Sequence, residues 1–139
     1  MLLTRKIEII KTADGIMLPV FKSYEWQDHV ARMCYITSMR AGARKGPIVH
    51  SQRTSIVTCI EGYISLEYID DDGFMRTIEL RDAAGDSYAV MVPPNIPVLY
   101  ANTASTDALI LSLPDIAWHP NSDDSTKYDG WDGYSRAIK

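Results

Sequence analysis

The stretch KGPIVHSQRTSIVTCIEG, residues 45–62, decides how the rest of the chain is read. It opens on a Lys-Gly-Pro turn and closes on Gly62. Between them, residues 55–60 alternate, with Ile56, Thr58 and Ile60 on one face and Val57 and Cys59 on the other. A period of two marks a strand. Two largely apolar faces mark a strand covered on both sides. A single imidazole, His50, stands between turn and strand. It is either what survives of a catalytic or metal cluster, or one polar side chain inside a β-barrel.

The pattern repeats outward from this stretch. Residues 63–69 place Ile64, Leu66 and Tyr68 on one face, and DDDG (70–73) then supplies a hairpin turn in which Gly73 takes the positive φ required. Residues 74–80 return, with Arg76, Ile78 and Leu80 opposite Met75, Thr77 and Glu79. Residues 88–92, 98–101 and 107–113 read as further strands, as do TRKIEIIKT (4–12) and IMLPVFKSY (16–24) ahead of them. Turn signals at Ala41-Gly42, Ala84-Gly85-Asp86 and Pro93-Pro94-Asn95 keep the runs short, which suits a sandwich or barrel and not a helical bundle. Only SYEWQDHVARM (23–33) offers a turn or two of helix, with Ser23 as N-cap and Trp26, Val30 and Met33 at helical spacing. The segment from Pro120 has neither period, but Tyr128, Trp131 and Tyr134 mark it as an extended segment pinned to the body.

A chain of 139 residues buries one good core, so a single domain is expected, with N-terminal strands over 1–30, the barrel over 31–114 and an extended segment over 115–139. The net charge of −4 argues against a nucleic-acid partner. The small cluster Arg40, Arg44 and Lys45 cannot coat a duplex but can hold one diphosphate. No apolar run approaches the roughly 18 residues that cross a bilayer, and the first residues carry no signal-peptide pattern. The expectation is therefore a cytoplasmic protein without a membrane partner. Cys34 and Cys59 lie in apolar stretches without zinc or redox spacing, and are expected to be buried free thiols.

Residues 32–62, RMCYITSMRAGARKGPIVHSQRTSIVTCIEG, followed after a hairpin by residues 90–124, VMVPPNIPVLYANTASTDALILSLPDIAWHPNSDD, resemble the RmlC-like cupins that act on nucleotide sugars. These are the dTDP-4-dehydrorhamnose 3,5-epimerase-like proteins and the dTDP-4-keto-6-deoxyglucose 3,4-ketoisomerases. Their first motif is roughly Arg-Gly-x-His-x-His, a strand, then Gly. Without gaps, its Arg falls on Lys45, its glycines on Gly46 and Gly62, its first His on Ile48 and its second on His50. The polar residue seven before the closing glycine is Ser55. The second motif, Pro-Pro-x-x-x-His, reads PPNIPV and puts Val98 where a histidine is expected.

The resemblance implies an all-β cupin, a double-stranded β-helix or jelly-roll barrel with little helix, assembled as a homodimer. It implies a place in deoxysugar and polysaccharide biosynthesis, with a nucleotide sugar as small-molecule partner. Those relatives remove a proton from carbon beside a ketone and return it elsewhere, which needs a base near neutral pH and a group to stabilise the enolate. On this reading His50 is the base. Tyr35 donates to the enolate or returns the proton, and Lys45, Arg40, Arg53 and Gln52 bind the substrate. No cofactor is implied. A metallo-cupin needs about three His and a carboxylate on one ion. The chain has His29, His50 and His119, while Ile48 and Val98 cannot ligate, so no metal is expected. Two functions stay open: a metal-independent epimerase or ketoisomerase of a nucleotide-linked 4-keto-6-deoxyhexose, or a non-catalytic or divergent cupin that binds a sugar nucleotide or other small ligand. Tyr63, Tyr68, Tyr88 and Tyr100 are read as core first. His119 is read as a surface or packing residue, unless the C-terminal segment folds over the barrel mouth.

Overall fold

The alternating runs form strands in the computed structural model, which describes residues 2–26, 28–82, 87–120 and 124–131. In chain order they are β1 (Thr4–Lys6), β2 (Ile10–Thr12), β3 (Gly15–Met17), β4 (Tyr35–Met39), β5 (Arg44–His50), β6 (Ser55–Glu61), β7 (Tyr63–Ile69), β8 (Met75–Arg81), β9 (Tyr88–Val92), β10 (Val98–Ala101), β11 (Ala108–Pro114) and β12 (Ser125–Lys127). One five-stranded antiparallel sheet runs β1-β9-β6-β11-β4, a second runs β12-β5-β10-β7-β8, and β2 and β3 form a separate hairpin. The molecule is all-β, as the alternation indicates.

The two large sheets meet through the faces that the sequence marks as apolar. Val57, Cys59, Val90 and Ile110 from the first sheet pack with Ile64, Leu66, Tyr68, Leu80 and Val98 from the second. Leu66, Ile64 and Leu80 are wholly buried, and each such side chain contributes about 1.5–3 kcal/mol over its exposed state. β6 is the central strand of its sheet and is covered on both sides: Ile56 faces a second cluster with Ile7, Trp26 and Ala89. The DDDG hairpin forms as expected, with the Gly73 N–H donating to the Asp70 carbonyl at φ +81°.

Residues 23–33 depart from expectation. Only Ser23–Glu25 form a 3-10 turn, and Lys22, not Ser23, stands at its N-cap. The cause is tertiary: Trp26 is drawn into the core at 1% exposure, and Asp28 takes φ +63°, which no helix continues. The thiols also divide. Cys59 is buried, whereas Cys34, just before β4, is exposed. Of the C-terminal segment, the described residues 124–131 lie against the body. β12 pairs with β5, Trp131 is buried against Leu99, Ile69 and Met75, and Tyr128 packs beside it. Tyr134 and the Ala84-Gly85-Asp86 turn lie outside the described residues.

Candidate functional site

β5 carries the first motif along the second sheet, and its course depends on Gly46. At φ +103°, a Cβ on Gly46 would stand 2.7 Å from the Val98 carbonyl oxygen, so only glycine lets β5 approach β10 this closely. That approach sets the register Ile48 opposite Val98. The two positions where the motif has histidines are thus cross-strand neighbours. Val98 is core, while Ile48 forms part of a cavity wall. His50 ends β5, and its carbonyl accepts from the Asn95 N–H at 2.8 Å within the PPNIPV turn. The two motifs therefore meet at His50.

The cavity encloses about 380 Å³ between the sheets, a size that suits a small ligand. His50, Tyr35, Lys45 and Arg53 all line it. Arg40 and Gln52 are exposed and lie outside this lining. Thr37, Ser55 and Ser112 add hydroxyls, and Trp118, half exposed, stands in the lining. His29 is buried with Nε2 2.9 Å from the Leu113 carbonyl, and His119 is outside the lining.

The residue that the sequence reading missed is Asp124. β12 lies antiparallel on β5, with Ser125 opposite His50, and this brings the Asp124 carboxylate into the site. Arg53 donates to it from Nη2 at 2.6 Å, from Nε at 3.0 Å and from its backbone N–H at 3.1 Å. The Asp124 carbonyl accepts from the Ser51 N–H, which anchors the segment a second time. His50 Nδ1 stands 3.5 Å from Asp124 Oδ1, so the carboxylate faces both imidazole and guanidinium. Burial pushes the Asp124 carboxyl upward, but Arg53, with a smaller contribution from His50, outweighs it and holds the carboxyl below its ordinary value. Burial likewise opposes the Arg53 cation, and the Asp124 carboxylate more than reverses this. The Tyr35 phenol pushes the guanidinium the same way, by a smaller amount. Tyr100, deeper in the cavity, is pushed upward by burial and by Tyr35, with Arg53 opposing, and so keeps its proton.

Asp124 was hard to find from the sequence because it lies 71 residues from Arg53 in a stretch without periodicity. Its aromatic neighbours in sequence marked the segment as docked, but not where. Among the described residues, no group of three or more His, Cys, Asp or Glu is placed to hold a metal ion. No helix is long and apolar enough to cross a membrane.

The two antiparallel sheets closed on one core, with the first motif along β5 and a cavity between them, are those of an RmlC-like cupin. Comparison with known proteins agrees. A family model described as FdtA, WxcM-like, C-terminal, matches residues 4–132, and the chain belongs to that family. No curated protein matches it by sequence. Among solved structures, it resembles a dTDP sugar isomerase from Desulfovibrio desulfuricans G20 (TM-score 0.81, 18% identity, covering 92% of this chain and 83% of that one). It also resembles a mutant of the 3,4-ketoisomerase QdtA from Thermoanaerobacterium thermosaccharolyticum in complex with TDP-4-keto-6-deoxyglucose (TM-score 0.73, 16% identity, 91% and 87%). A third similar structure is RmlC from Legionella pneumophila in complex with dTDP-4-keto-L-rhamnose (TM-score 0.80, 12% identity, 95% and 74%). At these identities the likeness carries the fold.

Proposed function

We propose that the protein is a metal-independent epimerase or ketoisomerase of a nucleotide-linked 4-keto-6-deoxyhexose. The observation that carries this reading is the placement of His50 and Tyr35 in one cavity, with Asp124 against the imidazole. His50 takes the proton from carbon beside the ketone, and the C–H electron pair passes into an enolate. An imidazole suits this step because it is the side chain that gains and loses a proton most readily near neutral pH. Asp124 stabilises the imidazolium that results. Tyr35 donates to the developing enolate oxygen, and Lys45, at the same cavity, attracts the diphosphate. Return of the proton to the opposite face is epimerisation. Its return to the neighbouring carbon, with the hydroxyl proton passing to the former ketone oxygen, is ketoisomerisation. Structurally similar proteins that bind TDP sugars support the substrate class.

In deuterium oxide, dTDP-4-keto-6-deoxyglucose incubated with the protein is expected to gain deuterium at C3, C4 or C5. The site labelled and the product distinguish the two reactions, and His50→Asn is expected to abolish exchange. A folded protein that exchanges no keto-sugar nucleotide would sink the reading. The apolar Ile48–Val98 pair favours a second reading, a non-catalytic cupin that binds the nucleotide sugar. A thermal shift with dTDP but no exchange is its signature. The homodimer belongs to the same proposal. The β2–β3 hairpin leaves Ile10, Ile16 and Met17 exposed, and a lone two-stranded hairpin is marginal without cover. Light scattering is expected to give twice 15.6 kDa, and a monomer would refute it.

A further inference from the structure

Buried polar side chains are hydrogen-bonded as a rule, so an exception marks a place with something left to bind. Eight polar residues are buried among those described. Six have side-chain partners: His29 with the Leu113 carbonyl, Arg53 with Asp124, Thr58 with the Tyr88 carbonyl, Asp70 with Arg76, Ser87 with the Arg81 carbonyl, and Asn102 with the Met39 carbonyl. The other two are Ser55, 7% exposed, and Ser112, 5% exposed. Neither hydroxyl has a partner among the described residues, and both side chains line the cavity that holds His50 and Tyr35. Strand pairing places them together. Ser112 on β11 is opposite Tyr35 on β4, and two residues further on Pro114 is opposite Ser55 on β6. Directly opposed residues of an antiparallel pair have Cβ atoms about 4.5–5.5 Å apart, so Ser112 neighbours Tyr35 on the cavity face and Ser55 lies diagonally beyond it. The other buried positions of β11 are Ala108, Ile110 and Pro114, which makes Ser112 the one polar side chain on that face.

We propose that Ser112 is a specificity residue that binds the C2 hydroxyl of the sugar, with Ser55 extending the same polar strip. This rests on reading the cavity as a site for a nucleotide-linked 4-keto-6-deoxyhexose. On that ring the ketone oxygen falls to Tyr35 and the abstracted proton to His50. The C3 hydroxyl takes part in the reaction when the ketone moves to C3. The C2 hydroxyl is the polar group with no part in either reaction, so it is free to be held throughout. A hydroxyl donates and accepts, and therefore completes both the O–H and a lone pair of a serine. The aliphatic lining from Ile48, Val57, Val92 and Ile110 can do neither. A substrate without the C2 hydroxyl closes the site over a serine that has no partner, and this is how a buried polar group rejects an analogue that lacks the matching one.

The test crosses the side chain with the substrate. Wild type, Ser112→Ala and Ser112→Cys are compared on dTDP-4-keto-6-deoxyglucose and on dTDP-4-keto-2,6-dideoxyglucose, which lacks the C2 hydroxyl. Initial rates of deuterium exchange give kcat/KM, and calorimetry gives the affinity for dTDP. Wild type is expected to prefer the hydroxylated substrate by about 10- to 100-fold, the scale of one buried polar group left unsatisfied. Ser112→Ala is expected to lose that factor on the hydroxylated substrate and little on the dideoxy one, so the preference collapses. A coupling of this kind reports the contact itself, because a variant that is merely distorted loses on both substrates alike. Affinity for dTDP, which carries no hexose, is expected to stay at the wild-type value. Ser112→Cys fills the site with a weaker donor and is expected to lower the preference too; it decides the matter if Ser112→Ala folds poorly. Equal losses on the two substrates overturn the proposal, as does a wild type that does not distinguish them. Wild-type protein that exchanges no deuterium with either substrate overturns the proton-transfer reading itself, and this role with it.

Discussion

Replacing Asp124 with Asn tests whether the C-terminal segment is held by an enclosed ion pair or by backbone pairing alone. The Arg53 and Asp124 side chains are 9% and 11% exposed, and the carboxylate accepts from Nε, Nη2 and the Arg53 N–H. Removing one member of such a pair leaves the other charge stranded, at a cost of about 3–5 kcal/mol. Asn keeps one acceptor and the side-chain volume, so the lower end, about 3 kcal/mol, is expected. An unfolding entropy near 2.1 cal/mol/K per residue gives about 0.3 kcal/mol/K for 139 residues, and hence a Tm lower by about 10 °C. The pH dependence follows from the direction of the shift. Asp124 is held below its ordinary value when folded, so its contribution is complete above the unfolded pKa of about 3.9 and is lost as pH falls through the folded value. The gap between wild type and Asp124→Asn is therefore widest at neutral pH and begins to narrow only below about pH 4. Calorimetric scans of both proteins from pH 7 to pH 3 measure it. A difference under about 1 kcal/mol at pH 7, the range of an exposed pair, or a gap that does not narrow at all between pH 5 and pH 3, would refute the reasoning.

Gly46→Ala is expected to destabilise the fold by at least about 2 kcal/mol, since it combines a strained φ of +103° with a Cβ 2.7 Å from the Val98 carbonyl; urea titration measures this, and a neutral result contradicts the close approach of β5 to β10. Of the two thiols, exposed Cys34 is expected to react with a disulfide reagent in the native state. Burial pushes Cys59 up to about 11, so it reacts only on denaturation. Two equally fast thiols at neutral pH would contradict that burial.

The strands were legible in the sequence because each core side chain sits at period two between turn residues. Ile64, Leu66 and Tyr68 declare the inner face of β7 without reference to anything distant. Gly46 and Gly62 were legible as motif positions, and the structure supplies the reason. A Cβ would stand 2.7 Å from the Val98 carbonyl of β10 at Gly46, and 2.7 Å from the Asp107 carbonyl just ahead of β11 at Gly62. His50 and Tyr35 were found through their positions in the motif. Asp124 was not, because its role arises from a strand pairing 75 residues apart, and a three-residue strand leaves no periodicity to read. The helical spacing of Trp26, Val30 and Met33 misled for the converse reason. Burial of Trp26 outweighs a weak local preference, and Val30 ends up exposed.

The pairing of β12 with β5 also has a consequence for the order in which the protein is made. Every other wall of the cavity comes from residues 33–118, yet Ser125 arrives only with the twelfth strand, and the Asp124 carboxylate beside His50 comes just ahead of it. On a ribosome the two sheets can close around their core while the edge of β5 is still bare, and the imidazole at its end still lacks its carboxylate. The docking of β12 is therefore the step that closes the β5 edge, and it can come only after that edge has formed.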